Sequence, residues 1–502
     1  MDVIVIGSGI GGLTAAGLLA RYGKQVIVCE SHNLAGGAAH SFRRRGFEFD
    51  SGPSFYCGLS SDSGLSNSLN PLKQVLDVLG ESLTTVRYDP LGHYHFPTVS
   101  FPVYSSSDRY YQELAKITPQ GAKEFHHFEQ RLLPLYQAIK GIPSLALRAD
   151  WQVIPLLMGR YLPSLLQMLP NLPLVKASVG SVMDATVNDP WVRKLIDLEC
   201  FLLSGLKPNG TIAPEVAFML GERSRVGVEY PLGGSGAIIQ ALVRGLERWG
   251  GKLRLGCHVE QIIVKSGKTV GVKLQNGEIL RAPIVISNAS IWDTYNKLLH
   301  PQDLPSSCRI AALATPAVDS FMHLHLGIKA DGLENLTGHH VVVNDNQQDI
   351  TVPGNTSMIS IPSVWDANLA PSGHHVVHTY TLEPYAGWKR DTEYEQRKRT
   401  KAENLYRALE RVIPDIRQRV VLELIGTPLT HAHYLRRYQG TYGPGIAAGK
   451  GKFPSTHTPI QGLYRVGDST MPGIGVPAVA ASGIMCANTL VNVRQTGELL
   501  NN

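Results

Sequence analysis

The chain has few of the features that usually fix a class at a glance. Its six cysteines, at 29, 57, 200, 257, 308 and 486, are scattered and form no C-x-x-C. That spacing argues against a disulfide framework, a cysteine zinc site and a redox dithiol, and leaves reduced thiols of a cytoplasmic protein as the expectation. Charge is also sparse, at 18% of residues, and nearly balanced, with a net +6. A nucleic-acid partner calls for a far denser basic face, so none is expected; a mild positive balance is compatible with an anionic membrane surface. No apolar run reaches the roughly 20 charge-free residues of a spanning helix without a proline. The first strand-like run starts at Val3, so no targeting peptide is expected ahead of it.

What is present is a globular composition, 43% hydrophobic over 502 residues, long enough for two intimately joined domains. Val3-Ile4-Val5-Ile6 is a β-branched run that leads directly into Gly7-Ser8-Gly9-Ile10-Gly11-Gly12. Leu13 to Arg21 reads as a helix with small residues on one face. Gln25 to Cys29 is a second strand, and Glu30 closes it. Strand, G-x-G-x-x-G, helix, strand and acid in this order form a dinucleotide-binding βαβ unit. Gly7 allows the tight turn, Gly9 lets a pyrophosphate touch the backbone, and Gly12 lets the helix approach the sheet. The helix N-terminus presents unpaired N–H groups to phosphate. Glu30 is placed to accept hydrogen bonds from a ribose diol and repels a 2′-phosphate, which favours FAD or NAD over NADP.

Beyond Glu30-Ser31 comes a second glycine turn, Gly36-Gly37, then Phe47-Glu48-Phe49-Asp50-Ser51-Gly52. This string resembles the phytoene desaturase and carotenoid isomerase family of FAD enzymes, which is related more distantly to amine oxidases. The resemblance continues at Tyr230-Pro-Leu-Gly-Gly, at the strand-rich stretch 253–289, at 426–444 and at Gly462-Leu-Tyr-Arg-Val-Gly467-Asp468 followed by Gly475-Val476-Pro477. It covers nearly the whole chain and is weakest over 60–225. It implies that Gly36 and Gly37 approach the FAD pyrophosphate, and that the turn after Asp50 lies near the flavin ring. It also implies that Val259 meets adenine through its backbone and that Asp468 holds ribityl or phosphate-side groups. The turn Gly475-Val476-Pro477 would set the backbone N–H groups of the helix mouth near the flavin, Pro477 itself having none. One departure stands out. Many desaturases and amine oxidases carry Arg after the paired glycines, whereas this chain has Ala38, like the isomerase and saturase branches. One of Arg43, Arg44 and Arg45 is a candidate for a compensating charge, against the alternative of a solvated basic turn.

Two other stretches stand apart. Residues 151–176 are apolar, hold one charge (Arg160) before Lys176, and are broken by Pro155, Pro163, Pro170 and Pro173. Such prolines forbid one continuous helix. Short helical pieces beside Trp151 and Tyr161 suit an interfacial membrane segment or the mouth of an apolar tunnel, against a proline-broken internal layer. Residues 320–382 alternate as strands and hold His323, His325, His339, His340, His374, His375 and His378. With neighbours on opposite faces, these read as half-exposed sheet residues, and no metal site is expected. Residues 392–412 read as a charged, solvent-facing helix.

The expected fold is α/β: a Rossmann-type FAD-binding domain, of the amine-oxidase and GDP-dissociation-inhibitor kind, with an inserted substrate domain of antiparallel sheet plus helices. The FAD part is expected in three pieces, 1–85, 230–295 and 426–502. The substrate part is expected in two, 86–229 and 296–425. The resemblance implies an FAD-dependent enzyme on a long polyene isoprenoid, a carotenoid cis-trans isomerase ahead of a desaturase or a saturase. It also implies a hydrophobic substrate and peripheral membrane contact through 151–176. Two rivals are a flavin-free prenyl-binding escort protein and an amine oxidase. Against the second, Tyr464 is the only aromatic close to the C-terminal motif. No catalytic residue and no oligomeric state follow from the sequence.

Overall fold

The computed structural model describes residues 1–60 and 68–501. Its organising element is a five-stranded, all-parallel sheet in the order Leu463–Arg465, Ile284–Ser287, Val3–Ile6, Val26–Cys29, Lys252–Arg254. The two central strands are fully buried, as β-branched runs covered on both faces should be. Helix Ile10–Arg21 lies on this sheet and packs between helices Gly234–Arg248 and Val476–Thr489. Its small residues make that possible: a Cβ on Gly17 would stand 2.8 Å from Leu79. The other face carries an antiparallel meander, Val259–Lys265, Lys268–Leu274 and Ile279–Arg281. Trp292, Tyr295, Leu298 and Ala312 share its core.

The second layer is a seven-stranded mixed sheet in the order Val420–Gly426, Ser320–Lys329, His374–Glu383, Thr356–Ser360, His339–Val343, Gly92–His95, Ser100–Val103. Period-2 alternation sorts its faces. Met322, Leu324, Leu326 and Ile328 pack on Leu405 and Leu409 of helix Tyr394–Glu410. That helix is charged outside yet apolar inside, which corrects the expectation of a purely solvent-facing one. Part of the opposite face carries Phe321, Val341, Val343 and Leu382 against a helical layer that includes Pro119–Ile139, Pro190–Ser204 and Ala213–Val226. Helix starts in this layer are capped: Ser106, Thr118 and Asp189 each accept from a backbone N–H of the first turn. The proline-rich stretch forms short pieces, Val153–Arg160, Leu162–Met168 and Leu172–Val175. Among the described residues, no helix is long and apolar enough to cross a membrane.

Candidate cofactor and substrate cavity

A cavity of about 580 Å³ opens at the C-terminal ends of the parallel strands and reaches the seven-stranded sheet, where open α/β sheets hold their ligands. Gly7, Gly9, Glu30, Ser31, Gly36, Gly37, Val259, Gly467, Asp468, Gly475 and Val476 line it. Ser8, Gly11, Gly12 and Pro477 do not. Ser8 is fully buried and orients Glu30: its N–H and Oγ both donate to Glu30 Oε2, at 2.9 and 2.7 Å. Glu30 Oε1 accepts from the His32 N–H at 2.8 Å. Gly11 and Gly12 are packing positions. A Cβ on Gly12 would lie 2.2 Å from the Gly7 carbonyl oxygen, and one on Gly11 would lie 2.9 Å from the Gly467 nitrogen. Pro477 sits in the first turn of helix Val476–Thr489.

Two helices begin at this cavity, and neither has a side-chain cap. Gly9 and Gly475 occupy the N-cap positions of Ile10–Arg21 and Val476–Thr489, and no acidic residue stands in either first turn. Their leading N–H groups and positive dipole ends are therefore left for a ligand. Asn288, which also lines the cavity, wedges between the two glycine turns. Its Nδ2 would stand 2.7 Å from a Cβ at Gly9, and its Oδ1 would stand 2.8 Å from one at Gly467. The cradle thus leaves room for backbone contact and none for side chains, which fits a dinucleotide diphosphate.

The far end is built of side chains, and of these, besides Asp468, the sequence singled out only the strand histidines, without a role at this site. Arg437 pairs with Asp468, and its Nε donates to the Thr441 carbonyl at 2.9 Å. Phe321, Tyr380 and Tyr442 contribute rings at 5.3 to 5.5 Å centroid spacing. Tyr464 is not among the lining residues. The cross-strand register sets His325 opposite His378 and His323 opposite Tyr380. Period-2 alternation puts all four on one face. His323 and His378 are hydrogen-bonded at 2.8 Å. His325 stacks on His378 at 4.2 Å, and His431 on His323 at 4.3 Å. These histidines, with His339 and His340, are buried or nearly so rather than half-exposed, because the sheet is covered on both faces. Burial holds His323 and His378 well below the ordinary 6.5, with the neighbouring histidines adding to the effect. Burial also takes His325 down to about 4 and His431 to about 3. The whole stack is uncharged at neutral pH. His323, His325 and His378 come within 4.8 Å of one another through ligand-type atoms. Their ring planes are near parallel, however, and the His323–His378 hydrogen bond takes up the lone pair of one of the two rings.

Other expectations fall elsewhere. Arg43, Arg44 and Arg45 lie exposed on the hairpin formed by Ser41–Arg44 and Phe47–Asp50, away from the cavity lining, with Arg43 3.4 Å from Glu48. Asp50 is buried and accepts from Ser41 Oγ at 2.7 Å, and from Tyr230 OH and the Ser235 N–H at 2.9 Å each. It ties that hairpin to the next FAD-side helix, while Ser51, Gly52 and Pro53 reach the cavity. No residue of 151–176 lines the cavity, so that stretch is not its mouth.

Parallel sheet, glycine cradle, ribose-side acid and uncapped helix starts together define a dinucleotide-binding flavoprotein. Residues 10–491 match the model of the flavin containing amine oxidoreductases, and the chain belongs to that family, whose cofactor is FAD. It is 36% identical over 495 residues to prolycopene isomerase 1, chloroplastic, of an Oncidium hybrid cultivar, covering 97% of this chain and 83% of that one. It is 26% identical to the all-trans-retinol 13,14-reductase of Danio rerio, covering 98% of this chain and 86% of that one. It is also 26% identical to the neurosporene-forming phytoene desaturase of Cereibacter sphaeroides, covering 96% and 93%. A putrescine oxidase structure superposes with a TM-score of 0.63 at 15% identity, covering 100% of this chain and 99% of that one. The fold is thus that of the flavin amine oxidases.

Proposed function

We propose that this chain is an FAD-dependent carotenoid cis-trans isomerase acting on a poly-cis polyene. One observation in the structure carries the substrate class. The cavity wall facing the dinucleotide side carries neutral imidazoles and aromatic rings, and the carboxylates beside it are taken: Asp468 is paired with Arg437, and Asp50 accepts from Ser41, Tyr230 and Ser235. An ammonium substrate would meet no free anion there, whereas an uncharged hydrocarbon meets apolar and π surface. The similarity to prolycopene isomerases supports the isomerase over the desaturase and the saturase. In this reading Glu30, held by Ser8, takes the ribose, and Gly9, Gly36 and Gly37 admit the diphosphate. Asp468 and the N–H groups at Gly475, Val476 and the start of the following helix face the flavin end. FAD, when bound, supplies the redox-active ring; the chain supplies orientation and a dry wall.

The test is anaerobic incubation of photoreduced enzyme with a poly-cis carotene and analysis of the product. Conversion to the all-trans isomer at unchanged hydrogen count is expected. Loss of two hydrogens per molecule in a parallel incubation with oxidised enzyme, and no conversion by the reduced form, overturns the isomerase in favour of a desaturase; gain of two hydrogens from the reduced form overturns it in favour of a saturase.

Peripheral membrane contact belongs to the same proposal. Along 151–175, Trp151 is 74% exposed and Leu166 55%, with Ile154, Met158, Leu162, Leu169 and Leu172 also exposed. Such a contiguous apolar patch marks an interaction surface, and a carotene is itself confined to bilayers. Changing Trp151, Met158, Leu166 and Leu169 together to Ser is expected to abolish sedimentation with anionic liposomes while FAD stays bound. Wild-type protein that stays in the supernatant removes the membrane from the reading.

A further inference from the structure

The charged side chains lining the cavity are Glu30, Glu260, Asp293, Lys297, Arg436, Arg437 and Asp468. All but one are matched. Lys297 pairs with Asp293 at 2.7 Å, Arg437 with Asp468, and Glu260 with Lys273 at 2.7 Å. Glu30 is held by N–H and O–H donors. Arg436 has neither a carboxylate nor a hydrogen-bond partner among the described residues. Its backbone is also unusual, with φ at +49°, a left-handed conformation that few residues other than glycine, asparagine and aspartate adopt. That turn sends two consecutive arginines to different places. Arg437 goes to Asp468, and Arg436 to a side hollow of about 210 Å³ shared with Ser31, His32, His433 and Tyr434. Ser31 and His32 follow the ribose-side Glu30. His258, next to Val259, is held low by burial and then by the charge of Arg436, which places that charge on the adenosine side.

A dinucleotide diphosphate carries two negative charges, and the helix start at Gly9 offers only about half a positive charge. We propose that Arg436 is the cation that clamps the adenosine-diphosphate half of the cofactor, in place of the hairpin arginines. The inference rests on the FAD reading of the cavity. A guanidinium donates in a planar fork suited to phosphate oxygens.

The test is titration of flavin-stripped protein with FAD, ADP and riboflavin, followed by calorimetry. In Arg436→Gln, FAD and ADP are expected to bind 10- to 100-fold more weakly, while riboflavin, which has no phosphate, binds as in the wild type. Arg436→Lys, which restores the charge without the planar fork, is expected to recover only part of the loss, and the salt dependence of FAD binding should be shallower in Arg436→Gln than in the wild type. Unchanged ADP affinity in Arg436→Gln overturns the proposal. So does an equal loss for riboflavin, which would mean that the variant harms the cavity as a whole. Wild-type protein that takes up no FAD overturns the cofactor reading itself, a result seen before any variant is made.

Discussion

The two sheets meet at one cavity and build their halves of it from different materials. The parallel sheet offers backbone: glycines at 7, 9, 36, 37, 467 and 475, two helix starts without side-chain caps, and one acid held by a serine. The seven-stranded sheet offers side chains, with Phe321 and His323 projecting from a strand whose opposite face is apolar core, and Tyr380 from the strand beside it. Backbone recognition demands particular residue types at fixed offsets, because any Cβ blocks the approach. Side-chain recognition demands only that the register bring suitable groups together.

The contrast can be broken most severely at Gly12. Gly12→Ala puts a methyl 2.2 Å from a backbone oxygen that cannot move without opening the first turn. The expected cost is about 3 kcal/mol, the upper end of overpacking, with loss of flavin absorbance and a lowered Tm in a thermal melt. Next comes Glu30→Ala. It removes charge-assisted bonds worth about 1.5–3 kcal/mol, so FAD affinity should fall by roughly 10- to 100-fold, read by flavin fluorescence titration. Retained affinity would mean that the ribose lies elsewhere.

The side-chain half is sharpened by pH. Folded His325 titrates at about 4 and His431 at about 3, against 6.5 for the ordinary group. Between those values the unfolded chain binds protons that the folded chain refuses. Stability from this region is therefore complete above pH 6.5 and falls as pH drops towards 4. Urea melts from pH 7 to 4 should show that decline, and His325→Phe should make it shallower by up to one proton. Equal slopes in the two proteins would mean that His325 is not held neutral. The smallest effect belongs to the hairpin. Arg43 and Glu48 form a surface pair, so Arg43→Ala should change stability by less than about 0.5 kcal/mol and leave FAD affinity unchanged in the same titration.

How much of this was legible follows from the same contrast. The βαβ unit, the second glycine turn and the Gly467-Asp468 turn each need glycine for steric reasons, so they could be read from the sequence. So could helix Pro190–Ser204, whose Asp189 cap and Pro190 mark its start. Asn288 could not be assigned a role, because its function is to fill the space between two turns distant in sequence. The histidine stack was misread because exposure of a strand residue depends on what covers the sheet, and the groups lying against the stack, Phe42 and Phe49 on one side and His431 on another, come from stretches far away in sequence. The rings at the cavity, Phe321, Tyr380 and Tyr442, could not be found from the C-terminal motif, because they lie outside it in sequence and only the fold brings them beside it.

The order of the parallel sheet also governs when the protein can be made whole. Its strands come from residues 3–6, 26–29, 252–254, 284–287 and 463–465, so almost every pairing joins distant parts of the chain. Loops of that length must close before the pairing rewards them, which slows folding. During synthesis the N-terminal βαβ unit emerges early and waits, with Ile284–Ser287 and Leu463–Arg465 still to come. Its apolar strand edge is open to wrong partners for most of translation. Cofactor capture is then one of the last events in biogenesis. A chain cut short before residue 463 would leave the ribosome with its glycine fingerprint intact and a cavity lacking Gly467, Asp468 and the helix start at Gly475.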